Sequence, residues 1–333
     1  MRSHRLCRAA RRGALCMALA ASLPWWPAAR AADAASAPGS PMLSACPPVP
    51  QLPSAAQIQA AQRDAPDRGF LWRISKQGRS SYLYGTLHVG KPLWVVAGPS
   101  LRAAIAATDT LALEINITDP ELSRSPPPPA TAELPLSATE RARLARQIAA
   151  ACLPAGALQR FHPLMQAVTL TVLSARWDGL DAAFAQEIAL ATAARARGRP
   201  IVALETAQAQ MALLLPSDPD EARRRLDQAL DQLEHDRARA LLRRLADAWA
   251  AGRLAELEDY ARWCECADSA EDRAFLRRLN DERNAPMAER IDALHAAGKR
   301  VLAAVGALHM TGEQGLPRLM AERGYTVQAL VPP

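Results

Sequence analysis

The chain has 333 residues, of which 50% are hydrophobic, 22% charged and 5% aromatic, and its formal charge is +6. This composition excludes a collagen, a coiled-coil rod and a disordered acidic tail. The lack of an apolar run of about 18 residues excludes a multispan membrane protein. The length allows one large domain or two medium ones, with enough material for a hydrophobic core.

The first 31 residues have the features of a secretory signal peptide. They contain six arginines and no acidic residue, an apolar run from Gly13 to Leu23, and a small-residue cleavage site at Ala29–Ala31. This pattern is typical of a signal that directs export, and a disordered basic arm is the alternative. We therefore expect a periplasmic or secreted protein. The stretch ending at Cys46 resembles a lipobox, but it lies too far beyond the apolar run for us to expect lipidation.

Most of the excess positive charge lies in this segment. Removing six of the 40 basic residues leaves 34, which equals the 34 acidic residues of the chain. A near-neutral protein gives no general electrostatic argument for binding nucleic acid. We therefore expect no nucleic-acid partner, and no transmembrane segment once the signal is cleaved.

The next region, residues 32–66, is rich in Ala, Pro and Ser and is predicted to be a linker with little structure. The folded domain is predicted to span residues 67–333. It begins with a β-hairpin, because two short apolar segments, Phe70–Ser75 and Ser81–Thr86, flank a turn-forming sequence that contains Gly78.

The rest of the domain predicts few strands and many helices. Residues 125–136 contain four consecutive prolines and indicate an exposed loop. From about residue 137 to residue 290 the apolar spacing is mostly helical, and it predicts a single helix over 219–250. Further strands are predicted at 110–115, 200–204, 301–305 and 325–330. This pattern predicts an α/β fold with a mixed central sheet, strands near both termini, and a large, mostly helical insertion.

Four cysteines remain after the predicted cleavage, namely Cys46, Cys152, Cys264 and Cys266. Disulfides persist in an oxidising compartment, so we expect structural bridges, and we take Cys152 with Cys264 or Cys266 as a working hypothesis. The Cys264-x-Cys266 spacing is too tight for the usual zinc knuckle. A thiol redox role for that pair is a weaker alternative.

One local pattern occurs twice, and it ends in a histidine each time. The early copy is YLYGTLH, ending at His88, and the late copy is LAAVGALH, ending at His309. In both, an apolar strand is followed by Gly, a small residue, Leu and His. Ligands of α/β sheets bind beyond strand ends, and imidazole is the commonest metal ligand. We therefore predict that His88 and His309 share one metal site, although either alone would be an ordinary histidine near a strand end.

Two glutamates follow predicted strands in the same way, Glu114 after LAL and Glu205 after VAL. A carboxylate directly after a buried strand costs free energy unless it is paired or bound to a metal. Two histidines and a glutamate with an open position form an arrangement that activates water, and a second glutamate can serve as general base. We take Glu114 as the third ligand and keep both glutamates as candidate bases. Each could instead cap a helix or pair with a cation.

Arg283 is the remaining candidate, since a guanidinium binds a substrate carboxylate or an oxyanion. A surface salt bridge is an equally good interpretation of that residue. The sequence contains no H-E-x-x-H, no G-x-S-x-G and no G-x-x-x-x-G-K-[ST] motif, so the common zinc-protease, serine-hydrolase and nucleotide-binding classes have no support.

The combination of motifs from about Phe70 to Val331 resembles the TraB/GumN family, which is related to the Tiki proteases. The residues that carry the resemblance are the segments LWRIS, YGTLHVG, GLD, ALET with Gln210, Arg283-Asn284 and VGALH. The resemblance implies a signal-bearing or membrane-linked protein with a mixed α/β fold. It also implies that His88 and His309 are the motif histidines, and that Glu114 and Glu205 occupy acidic positions. The Tiki relatives are metal-dependent proteases that favour manganese or cobalt.

These observations predict a metal-dependent hydrolase of the cell envelope, specifically a peptidase acting on a peptide or protein substrate. The expected cofactor is a divalent ion, with Mn²⁺ or Co²⁺ favoured and Zn²⁺ as a further candidate. The alternative is a non-catalytic envelope protein that binds a peptide or glycan in the same cleft, with a link to exopolysaccharide.

Overall fold

The computed structural model describes residues 46–120 and 134–332. The predicted signal peptide, residues 32–45 of the predicted linker and residues 125–133 of the predicted loop lie outside these ranges. Within them, no helix combines the length and the apolar character needed to cross a lipid bilayer.

A mixed six-stranded sheet forms the centre of the protein, which confirms the predicted α/β class. Its strands are β1 (Phe70–Lys76), β2 (Arg79–Thr86), β3 (Thr110–Leu113), β4 (Ile201–Ala203), β5 (Val301–Gly306) and β6 (Thr326–Val331). Their order across the sheet is β4-β3-β5-β2-β1-β6. Strands β4, β3, β5 and β2 run parallel, whereas β1 is antiparallel to both of its neighbours.

The helices surround this sheet and also form the insertion. In chain order they are α1 (Ala55–Asp64), α2 (Pro99–Ala107), α3 (Ala138–Ala150), α4 (Pro163–Ser174), α5 (Gln186–Ala196), α6 (Ala207–Leu214), α7 (Pro219–Glu234), α8 (Arg237–Ala250), α9 (Leu254–Glu258), α10 (Tyr260–Trp263), α11 (Ala270–Leu279), α12 (Asp281–Ala296) and α13 (Leu316–Glu322). Short 3-10 turns occur at Pro92–Val95, Ala175–Asp178, Ala182–Phe184 and Ala307–Met310.

The predicted hairpin is present and has a tight turn. Gln77 and Gly78 both adopt positive φ values, 52° and 73°, and Lys76 pairs with Arg79 directly across the turn. Two central residues with positive φ match the right-handed twist of the flanking strands. The turn thereby fixes the register that places Thr86 at the end of β2.

Strand β5 lies in the middle of the parallel part of the sheet and is apolar throughout. Val301, Ala303, Ala304 and Val305 are fully buried, as expected for a parallel strand that is covered on both faces. Small alanine side chains allow helices to pack closely against this strand. Gly306 then ends the strand at the edge where the neighbouring parallel strands also end.

The helical insertion has its own apolar core, which begins at Leu134, ends at Ala238 and contains the fully buried Leu158, Leu226 and Leu230. Later helices return to the sheet. The Trp249 side chain on α8 is buried and its indole donates a 2.7 Å hydrogen bond to the Gly85 carbonyl. A Cβ on Gly69, whose φ is +76°, would lie 2.6 Å from the same indole nitrogen.

Two helical predictions needed adjustment. The stretch 219–250, predicted as one helix, is divided into α7 and α8 by Asp236, whose backbone is left-handed with φ 57°. Helix α1 lies inside the segment that we predicted to be an unstructured linker. It begins with a capping box in which Ser54 and Gln57 satisfy each other's backbone N–H groups.

The hypothesis for the disulfides was wrong. Cys152 is bonded to Cys46, and Cys264 is bonded to Cys266. The chain returns Cys46 to within 5.7 Å (Cα–Cα) of Cys152, which is well inside the range for a bridge. Sequence spacing carries no information about such a contact, because the partners are 106 positions apart.

Candidate functional site

The predicted site residues lie at one edge of the sheet. Thr86 on β2 pairs with Gly306 on β5, and Leu113 on β3 pairs with Ala203 on β4. His88, Glu114, Glu205 and His309 follow these four strand ends within three residues. Because the strands are parallel, their carboxyl ends meet at the same edge of the sheet, where α/β proteins bind ligands.

Arg283, on α12, joins the two glutamates. Its Nη2 lies 2.5 Å from Oε2 of Glu114 and 2.5 Å from Oε2 of Glu205, and its Nε donates to Glu205 Oε1 at 2.9 Å. The amide of Gln210 donates to both carboxylates as well, at 3.0 and 3.1 Å. The arginine and both glutamate side chains are each only 11% exposed. This is therefore a buried ion-pair network and not the surface salt bridge that we considered.

All five N–H groups of Arg283 are engaged. Besides its contacts with the carboxylates, Nη1 donates to the Leu279 carbonyl at 2.9 Å and lies 3.2 Å from Nε2 of His309. A guanidinium has five donors, so this one has none left for a substrate unless an existing bond is exchanged. In this structure Arg283 positions the acidic residues.

His309 is held in a defined orientation by its other nitrogen. Its Nδ1 lies 2.7 Å from the Asn284 side-chain oxygen, and the Asn284 amide donates to the Gln314 carbonyl at 2.8 Å. The amide oxygen can only accept a hydrogen bond, so the proton of the neutral imidazole belongs on Nδ1. The lone pair of Nε2 is then directed towards Arg283 and the cleft.

His88 faces a third acid, Glu187, on the first turn of α5. Nδ1 of His88 lies 3.1 Å from Oε1 of Glu187, and the Thr86 hydroxyl also donates to that oxygen. In the part of the chain described here, His88 Nδ1 and the other Glu187 oxygen, Oε2, are buried without a hydrogen-bond partner.

Gly306 lies where these side chains converge. A Cβ on this residue would lie 3.2 Å from Oε1 of Glu114, 3.5 Å from the His309 ring and 3.9 Å from Nε2 of His88. Its own N–H donates to Oε1 of Glu114 at 2.8 Å. The glycine is needed here for space, since its φ of −48° is accessible to any residue.

The electrostatic environment gives the groups different charges. Burial would raise the pKa of Glu114, but His309, His88, Arg283 and the Gly306 N–H together lower it to about 2. Burial would also lower the pKa of His88, but the negative charge of Glu187 raises it to about 9. Burial prevails at His309 and lowers its pKa to about 4. At neutral pH the cleft thus has a carboxylate, a cationic His88 and a neutral His309.

The chemistry of these donors fits a divalent cation. Both imidazoles have a side-chain oxygen close to Nδ1, Glu187 at 3.1 Å from His88 and Asn284 at 2.7 Å from His309. Such oxygens are usual partners of histidines that bind a metal through the opposite nitrogen. Glu114 supplies an oxygen beside them. Over residues 46–120 and 134–332, no three His, Cys, Asp or Glu side chains are already arranged as a metal cage, and Arg283 contacts the acceptor atoms that a cation would use.

The structure therefore brings all five sequence-predicted residues to one cleft. Glu187 was missed, because it lies in the first turn of a helix and nothing in the local sequence marks it. Asn284 and Gln210 belong to segments that carry the family resemblance, but no role had been deduced for them. The remaining described histidines lie elsewhere. His295 is buried against Ser81, whereas His162 and His235 are at helix ends.

The chain is similar in sequence to a known protein and matches a known protein family. It is 26% identical to the uncharacterized protein YbaP of Shigella flexneri over 243 residues, which cover 73% of this chain and 88% of that protein. No solved structure gives a significant match. The model of the TraB/PrgY/gumN family matches residues 70–329, from the first strand to the last and including the whole cleft. The chain belongs to the TraB/PrgY/gumN family.

Proposed function

We propose that this protein is a metal-dependent hydrolase of the peptidase type. The observation that carries the proposal is the common orientation of two histidines. Each has a side-chain oxygen close to Nδ1, Glu187 at 3.1 Å for His88 and Asn284 at 2.7 Å for His309. Nε2 of His88 and the Cδ2 edge of the His309 ring border the same space over Gly306, beside Glu114. Paired imidazoles with supported Nδ1 atoms and an adjacent carboxylate favour cation binding.

The residues divide into three roles. His88, His309 and Glu114 would hold the ion, and His88 would give up its Nε2 proton to solvent on binding it, since a ligating imidazole must be neutral. The low pKa of Glu114, about 2, suits a permanently charged ligand. When bound, a divalent ion supplies a Lewis acid and a water nucleophile at neutral pH. Glu205 is the proposed proton acceptor, because it shares Arg283 with Glu114 and its Oε1 accepts only one hydrogen bond among the described residues.

Arg283 is proposed to position this machinery. Its contacts with both glutamates fix their separation. A guanidinium is always charged and can bond two carboxylates in a fixed geometry. The side-chain amide of Gln210 also donates hydrogen bonds to both carboxylates. Substrate binding or ion binding would then exchange some of these bonds.

We also propose that the protein acts in the periplasm or outside the cell. The support is the predicted signal peptide together with the two disulfides, which persist in oxidising compartments.

The decisive experiment compares metal content and cleavage in matched variants. The purified protein is dialysed against Mn²⁺ or Co²⁺, its bound metal is measured by mass spectrometry, and cleavage of a peptide library is followed. We expect one ion per chain, lost in His88→Ala and His309→Ala together with cleavage. His235→Ala is the control, since that histidine is 62% exposed and lies outside the cleft.

Equal metal content in the wild type and His88→Ala would contradict the proposed site. Tight peptide or glycan binding that persists without metal and without turnover would favour the non-catalytic alternative.

A further inference from the structure

A large cavity lies apart from the cleft, between α2 and α5 on one face of the sheet. Its volume is about 460 Å³, which falls in the range of small-molecule sites, about 300–1,000 Å³. Helix α1 contributes Ile58 and Gln62 to its lining. A small void of about 20 Å³ continues from it and shares five lining residues with it.

The interior of this cavity is mostly apolar. Its walls include Trp94, Leu101, Ile105, Leu190 and Trp249. Aromatic and aliphatic walls of this kind favour a hydrocarbon or ring system over a polar ligand. The cavity could therefore take up the apolar part of a ligand and remove it from water.

The polar lining has charges of only one sign. Four arginines line the cavity, Arg68, Arg102, Arg197 and Arg199, and no aspartate or glutamate does so. Three of these side chains donate to backbone carbonyls, Arg102 to Ala97 at 2.7 Å, Arg197 to Ala193 at 3.2 Å, and Arg199 to Ile105. In the described ranges none of the four forms an ion pair, unlike Arg143, Arg223 and Arg239 elsewhere in the protein.

Arg68 is the most informative of the four. Its side chain is half-buried, and its guanidinium makes no hydrogen bond to any described residue, since the only bond at this residue is from Tyr84 to its carbonyl. Burial lowers the pKa of this guanidinium, and the nearby Tyr84 offsets only part of that decrease. An unpaired, partly desolvated cation destabilises a fold, so an external anion would relieve that cost.

We infer that this cavity is a binding site for a single-chain amphiphile with an anionic head group. The apolar walls receive the chain. The carboxylate or phosphate is received by Arg68, whose guanidinium has no hydrogen bond to a described residue, and by the other three arginines, which have no acidic partner there. Guanidinium groups bind both anions through paired N–H donors. The site is independent of the proposed hydrolase activity, because none of the five predicted cleft residues lines it.

The site nevertheless comes close to the cleft. Gln186 lines the cavity and accepts a 2.9 Å hydrogen bond from the Leu87 N–H, which precedes His88. The next residue, Glu187, contacts His88 itself. A bound amphiphile would thus lie against the start of α5, which supports one of the two cleft histidines.

Isothermal titration calorimetry with dodecanoate tests the inference on the whole purified protein. Dodecyl phosphate is the second anionic probe, and dodecanol and dodecyltrimethylammonium are the neutral and cationic probes of equal chain length. We expect at least one of the anionic probes to bind about tenfold or more tighter than either of the other two. Equal affinities for all four probes, or no binding of the anionic ones, would overturn the inference.

Two variants separate binding from folding. Arg68→Gln should weaken binding of the anion about tenfold, which corresponds to about 1.4 kcal/mol, without lowering the melting temperature, because the charge has no partner to lose. Arg63→Gln is the matched control, since Arg63 is exposed on α1 and does not line the cavity. Ala193→Leu should reduce binding of the anionic probe by filling space in the cavity. Unchanged binding in both Arg68→Gln and Ala193→Leu would place the amphiphile elsewhere.

Discussion

Asn284 and His309 form a buried pair in which the amide oxygen lies 2.7 Å from Nδ1 of the ring. Neither side chain is appreciably exposed, at 0% for Asn284 and 4% for His309. The pair connects α12 to the end of β5, and α12 also carries Arg283. One helix therefore sets the orientation of a proposed ligand and links the two glutamates.

Replacing Asn284 should release this histidine. In Asn284→Ala the buried Nδ1–H loses its acceptor, which costs about 1–3 kcal/mol of folding free energy. Loss of such a supporting contact typically lowers metal affinity about 10- to 100-fold. Denaturant unfolding and metal titration measure the two effects. Asn280→Ala is the control, because Asn280 begins the same helix without a side-chain capping bond. Unchanged metal affinity in Asn284→Ala would contradict the supporting role.

Adding one methyl group at Gly306 should impair the cleft. The new Cβ would lie 3.2 Å from Glu114 Oε1 and between the two histidines, so Glu114 must shift by a few tenths of an ångström. The backbone conformation itself accepts alanine, and we expect a loss of stability of about 1–3 kcal/mol from the added methyl group. Metal binding and peptide cleavage should fall at least tenfold. Gly156→Ala, where the added Cβ would meet nothing closer than 3.5 Å, should behave like the wild type.

Removing the Arg283 charge should destabilise the fold strongly. Arg283→Met leaves Glu114 and Glu205 buried without their common cation, and breaking a buried ion pair in this way costs about 3–5 kcal/mol. Arg290→Met is the control on the exposed side of α12. Denaturant unfolding of both variants at neutral pH gives the difference. A loss below about 1 kcal/mol would show that water or a cation replaces the guanidinium.

Glu140 should contribute stability only when it is ionised. Its carboxylate accepts hydrogen bonds from the Ser137 backbone N–H at 2.6 Å and from Arg223 at 2.5 Å. These bonds lower the pKa of Glu140 below its ordinary value of 4.5, and those with Ser137 have the larger effect. A lowered pKa in the folded state gives stability that is present above about pH 4.5 and is lost as the pH falls through the folded value. We expect Glu140→Gln to cost about 1 kcal/mol at pH 7.

The check on this prediction is the pH dependence of the difference. Denaturant unfolding of the wild type and Glu140→Gln should give curves that converge towards pH 3. A difference that is the same at pH 3 and pH 7 would contradict an electrostatic origin. Glu289→Gln, exposed on α12, should show no difference at either pH.

Local sequence was a good guide to the strands and to the paired motifs. The hairpin, the buried strand β5 and the histidines after β2 and β5 depend on neighbouring residues, since alternation, glycine and turn chemistry act over a few positions. The predicted helices were present, but their limits differed where one residue changed the backbone. Asp236, with its left-handed φ of 57°, divides what apolar spacing indicates as a single helix.

Other features needed contacts between distant parts of the chain. The two carboxylates have obvious positions in the sequence, but their common partner Arg283 lies on a helix far along the chain. Glu187 has no local signature, and it comes close to His88 only because the first turn of α5 lies against the end of β2. The disulfide hypothesis was wrong for the same reason, since spacing does not show which cysteines meet.

The order of the residues was enough to predict the α/β class, the positions of most strands, and five residues that lie around one cleft. These depend on short-range patterns and on the rule that parallel strands end at a common edge. Three-dimensional packing was needed to establish the strand order, the ion-pair network through Arg283, the residues beside each histidine, the cysteine pairing, and a cavity in which four arginines have no acidic partner among the described residues. Those properties arise from the packing of segments that are remote in the chain, which no local pattern encodes.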